Sequence, residues 1–101
     1  MAVIEVSIIP LGTGTPSLSK YIARAVEALH GEEDIRYEPT AMGTIIEGDL
    51  ERLLTSARKM HEAVFDAGVM RVVTTVKIDE RRDKASSISS KVEAVKRELG
   101  Q

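Results

Sequence analysis

The chain has 101 residues, 43% of them hydrophobic and 30% charged, with a formal net charge of −2 and no cysteine. That length predicts one domain of an ordinary soluble globule. The composition excludes disulfides, thiolate metal sites and cysteine nucleophiles. The net charge and the three aromatics, Tyr21, Tyr37 and Phe65, also argue against a nucleic-acid binder, which would present basic charge and stacking rings.

Residues 2 to 9 read as a strand, with Ile4, Val6 and Ile8 on one face and Glu5 and Ser7 on the other. Glu5 interrupts the apolar run and no basic leader precedes it, so no signal peptide is expected. No segment approaches the roughly 18 apolar residues of a membrane span, and a cytoplasmic location is the expectation. From Pro16 the spacing of Leu18, Tyr21, Ile22, Ala25, Val26 and Leu29 predicts a helix, with Thr15 or Ser17 as its cap and Gly31 as its stop. Two short β-type runs, 35 to 38 and 42 to 47, flank Pro39-Thr40-Ala41 and predict an antiparallel hairpin. Asp49 would then cap a second helix carrying Leu50, Leu53, Leu54, Ala57, Met60 and Val64, which Gly68 stops. Residues 70 to 78 alternate as a fourth strand, a charged loop follows, and a last helix begins near Ser87.

The order β-α-β-β-α-β plus a C-terminal helix predicts an α+β, ferredoxin-like fold. Its antiparallel four-stranded sheet carries helices on one face. This order decides how to read "LGTGTPSLS". Gly12, Gly14 and Ser17 imitate a dinucleotide fingerprint, and Glu38 stands near the place of a ribose carboxylate. A Rossmann unit would cross over to a parallel third strand, whereas here the second strand turns straight back. The segment is therefore read as a strand-to-helix turn. Exposed amides there, at Thr13, Gly14 and Ser17, would form a weak anion perch.

Taken together, "SIIPLGTGTPSLSKYIA", "RYEPTAMGTIIEG", "HEAVFDAGVMRV", "KIDERRD" and "KVEAVK" resemble the small thiamine-binding protein family of ferredoxin-like, YkoF-related proteins. The most specific part is Tyr37, then Met42-Gly43-Thr44, then Glu47-Gly48. Ala41 departs from the Pro that many members carry before the Met, which bears on the hairpin's turn. The resemblance implies a cytoplasmic, non-enzymatic binding protein for thiamine or its hydroxymethylpyrimidine moiety, assembled as a homo-oligomer of two or four chains and holding no cofactor.

If Ile4, Val6 and Ile8 face the helices, then Tyr37, Thr44 and Thr74 are polar groups beneath them. Either they bond to backbone and to one another, or they line a small pocket between sheet and helices. A bound thiamine would want an aromatic face, from Tyr37 or Tyr21, and a hydrogen bond, from Thr44. Glu47 and Ser7 are further candidates. The alternation puts both on the opposite face with Arg71 and Lys77, where Glu47 reads more simply as an ion-pair or subunit-interface residue. His30 and His61 have no ligand-spaced partner, so no metal site is expected. Ser17, Ser19 and Ser86 to Ser90 read as helix starts rather than nucleophiles. Arg81 and Arg82 are the remaining anion candidates. Ser7, Ile9, Ile45, Val73 and Thr75 make the open face of the sheet partly apolar, which calls for a partner.

Overall fold

The computed structural model describes residues 1–83 and 88–100. Strands β1 (Ala2–Leu11), β2 (Arg36–Pro39), β3 (Thr44–Gly48) and β4 (Arg71–Glu80) form one antiparallel sheet in the order β2-β3-β1-β4. Helices α1 (Ser19–Glu27), α2 (Leu50–Phe65) and α3 (Ile88–Glu98) complete the α+β, ferredoxin-like order with its extra C-terminal helix.

The period-two pattern of β1 gives the core its floor. Ile4, Val6 and Ile8 are buried beside Ile46 of β3, and they meet Tyr21 and Ala25 of α1 and Leu53, Ala57, Met60 and Val64 of α2. This is the single-faced burial that alternation in strands and a 3.6-residue stripe in helices produce.

β1 pairs with β4 over all ten of its residues but with β3 only from Ala2 to Val6. The strand predicted to end at residue 9 continues through Pro10 to Leu11, and its last five residues therefore have a ladder partner on one side only. β3 begins at Thr44 because the hairpin turn closes just before it. The Thr40 N–H donates to the Gly43 carbonyl at 2.7 Å, and the Thr40 hydroxyl donates to the same oxygen at 2.8 Å.

The start of α1 differs from the expectation. The helix opens at Ser19 with Leu18 at the cap position, and no side chain caps it. Thr15 and Ser17 are not helix caps. The Thr13 hydroxyl donates to the Thr15 carbonyl at 2.8 Å, and the Ser17 N–H donates to the Thr15 hydroxyl at 3.3 Å. These local bonds hold residues 13 to 17 in turns that compete with a helix. Gly12 and Gly14, at φ 73° and 74°, supply the left-handed backbone that such a loop needs. Asp49 does stand at the cap position of α2, though its side chain makes no capping bond. The predicted start of the last helix at Ser87 lies outside the described residues.

Candidate functional site

The end of the β1–β3 ladder creates a cavity. Beyond Val6 the hairpin turn leaves the sheet, and α1 lies across the gap. The space has a volume of about 310 Å³, opens to the surface and is lined mainly by apolar groups. Val6 and Ile8 form its floor, Leu18, Ile22 and Ala25 of the α1 region one wall, and Met60 of α2 the back. The Thr40–Thr44 segment closes the other side, with Met42, 80% exposed, at the mouth. Among the described residues, no acidic or basic side chain lines it.

Gly43 is essential to this closure. A Cβ there would lie 2.9 Å from the Val6 carbonyl oxygen, closer than side-chain carbons come to backbone oxygens. The turn can pass over the end of the β3 ladder only because residue 43 has no side chain.

The candidate residues do not come together in one place. Thr44, buried at 3% exposure, lines the cavity, and Ser7 borders it through its position on β1. Ser7 lies opposite Thr75 in the β4 register, on the sheet face away from α1 and α2.

Tyr37 is not beneath the helices. It lies opposite Ile46 and so shares the helix-side face, but β2 is the outermost strand and Tyr37 is 38% exposed. It borders a separate cleft with Arg36, Glu47 and Ile88. Glu47 is buried in that region. Its carboxylate accepts the Ile88 N–H at 2.7 Å and lies 3.8 Å from the Arg36 guanidinium. Negative charge at the first turn of α3 is favourable to the helix dipole, so Glu47 holds the C-terminal helix against the open face, assisted by the Lys91–Asp79 ion pair.

Tyr21 is buried in the core under α1 and borders a third cleft with Thr13 and Arg71. The Lys20 ammonium lies 5.2 Å from its ring centre. The weak anion perch loses its basis, because Thr13 and Gly14 lie five or six residues ahead of the first helical residue. Ser17 is likewise exposed in the loop.

Thr74 is engaged elsewhere. Its hydroxyl lies 2.6 Å from Nδ1 of His61 on α2, whose ring packs edge-on against Phe65 at 5.1 Å. Of the two arginines, Arg81 is bonded to Asp83, which raises its pKa, and Arg82 to Glu80. Both charges are therefore already paired with acidic side chains two residues away.

Sequence reasoning missed the role of Thr40, whose hydroxyl also accepts the amides of Met42 and Gly43 at 3.3 and 3.2 Å. The signal was available, since a threonine ahead of a glycine-containing turn favours such local bonding. Among the described residues, no group of three or more His, Cys, Asp or Glu side chains could hold a metal ion. No described helix is long and apolar enough to cross a membrane.

Comparison with known proteins bears on this geometry. The chain is 48% identical to a UPF0045 protein of Methanothermobacter thermautotrophicus, an alignment that covers 98% of this chain and all of that protein. It is 45% identical to the UPF0045 protein YqgV of Bacillus subtilis over 98% of each. The solved structure of MJ1052 from Methanocaldococcus jannaschii superposes with a TM-score of 0.85 at 46% identity, covering 93% of this chain and 94% of that one. Residues 4–96 match the family described as thiamine-binding protein, and on that match the chain belongs to the thiamine-binding protein family.

Proposed function

We propose that this chain is a non-enzymatic binding protein whose cavity takes the pyrimidine moiety of thiamine, free or as part of the vitamin. The observation that carries this reading is the apolar cavity of about 310 Å³ at the end of the β3 ladder, in a chain of this family. Its size suits a single heterocyclic ring, at the small end of the roughly 300–1,000 Å³ of ligand pockets. Its uncharged lining favours a neutral ring over a cation or a phosphate. The thiazolium of thiamine would then lie toward the mouth at Met42, and Tyr37 and Tyr21, each in another cleft, take no part. Among the described residues, no nucleophile with an acid–base partner lines the cavity.

The open face supports a homo-oligomeric form of the same protein, which we propose acts in the cytoplasm. Ile9 and Val73 are 45% and 43% exposed on it, and covering such residues is a usual reason for self-association.

Titration calorimetry with thiamine and with hydroxymethylpyrimidine tests the reading. Both are expected to bind, and ligand at a hundredfold excess over Kd should stabilise the protein by about 2.7 kcal/mol. Thr44→Val, which keeps the shape and removes the hydroxyl, should weaken binding by about tenfold. Absence of heat and of thermal stabilisation with both compounds would refute the assignment.

A further inference from the structure

The backbone of β1 carries a polar feature that the side-chain inventory of the cavity hides. In an antiparallel ladder each residue sends its N–H and C=O to the same neighbouring strand, and successive residues alternate between neighbours. Three observations fix the phase of that alternation.

Pro10 lies opposite Val72 within the β4 ladder. It has no N–H, so it occupies a position that does not bond to β4. Leu11, Ile9, Ser7 and Glu5 therefore bond to β4, while Ile8, Val6 and Ile4 direct their polar groups to the β3 side. Pro39 lies opposite Thr44 and sets the same phase independently, because Thr44 must then bond to β1 rather than β2. The 2.9 Å approach of a Cβ at Gly43 to the Val6 carbonyl oxygen places that carbonyl on the β3 side as well.

Ile8 is the next residue in phase after Val6, and β3 has already ended. Its N–H and C=O point into the cavity it lines, within a residue only 5% exposed. The 40–43 turn closes on itself, and among the described residues no loop or cap backbone bond goes to Ile8. A buried backbone donor and acceptor without a partner is strongly disfavoured, which makes this pair the strongest polar claim on any occupant.

The same edge excludes an added peptide strand. Such a strand would need a donor at every second residue, and the next position in phase is Pro10, which has none. The edge offers a single donor–acceptor pair and then stops.

We infer that the main-chain N–H and C=O of Ile8 are the specificity element of the cavity. They read a flat ring that carries a hydrogen-bond acceptor beside a donor, the ring nitrogen and exocyclic amine of an aminopyrimidine. This rests on the pyrimidine reading above and adds what selects the ring. An oxo analogue, with a carbonyl in place of the amine, inverts the order of donor and acceptor. It would have to turn over to pair, carrying its ring substituents into the cavity wall.

Two measurements on the full chain test the inference. Amide hydrogen exchange by NMR is followed with and without hydroxymethylpyrimidine, and calorimetry compares that compound with its oxo analogue. The expected result is exchange at Ile8 slowed by at least about tenfold, no change at Ser7 and Ile9, and binding of the oxo analogue weaker by about tenfold or more. Binding that leaves Ile8 exchange unchanged, or that treats both compounds alike, overturns the inference and leaves the pyrimidine reading standing. No binding of either thiamine or hydroxymethylpyrimidine overturns both.

Discussion

The two faces of the sheet are built to different standards. On the helix side, Ile4, Ile46, Leu53, Met60 and Val64 are buried to within 1% of complete, and the cavity lies at the edge of this core. On the other side, α3 buries none of its residues, and Val92, Val95 and Leu99 are 46%, 59% and 65% exposed. What holds α3 is polar: the Glu47 carboxylate on the Ile88 amide and the Lys91–Asp79 pair. Apolar packing is insensitive to direction and strong in sum, whereas one carboxylate at a helix start is directional and modest. The helix-covered face therefore carries the stability of the fold, and the open face carries a helix positioned by electrostatics.

The largest effect should come from cutting into the packed face. Leu53→Ala is expected to cost about 2–5 kcal/mol by urea denaturation, from lost transfer energy and the cavity left behind. Val95→Ala, on the exposed stripe of α3, should stay within about 0.5 kcal/mol in dilute protein. Comparable losses at both positions would break the comparison, because Val95 would then be buried against a second copy in solution.

A smaller effect sharpens the same contrast. Glu47→Gln keeps the side-chain shape but removes the charge at the α3 start, at an expected cost of about 0.5–2 kcal/mol. The loss should be local, with faster amide exchange through Ile88–Glu98 and little change in β1 or α2. Uniformly faster exchange would mean that Glu47 supports the sheet rather than the helix.

Much of this division was readable in advance, and for a physical reason. Alternation in β1 and β4 and the apolar stripes of α1 and α2 are local periodicities, so element type and face followed from spacing. Lateral position did not. Alternation assigns Tyr37 to the helix-side face, but only the strand order shows β2 to be outermost, beyond the helices' cover. The partner of Thr74 was hidden for a similar reason, since His61 belongs to a different element and meets it only after α2 packs on β4. The start of α1 went to hydroxyl bonds at Thr13 and Thr15 that act over two residues and outweigh the proline signal. The cavity itself had a signature in the chain. Pro10 inside a strand demands a side without a ladder bond, and that side is where β3 stops.

The smallest effect concerns the ion pairs that brace α2 against the α1–β2 connection. Arg52 bonds Asp34 at 3.1 Å, and Lys59 meets Glu32 at 2.6 Å. The Arg52 hydrogen bond holds the Asp34 carboxyl below the usual aspartate range. A carboxyl whose folded pKa is depressed stabilises the fold above its unfolded pKa, and the contribution fades as pH falls through the folded value. Asp34 is solvent-exposed, so the difference in Tm between the parent and Asp34→Asn should be small near neutral pH. It should shrink toward zero as pH falls below the ordinary aspartate value of about 3.9, and it should shrink again in high salt at neutral pH. A Tm difference that ignores both pH and salt would show that Asp34 acts through the backbone leading into Ile35, which is buried in the core. The bracing of α2 would then be a matter of packing, like the rest of that face, and the electrostatic style of construction would be confined to α3.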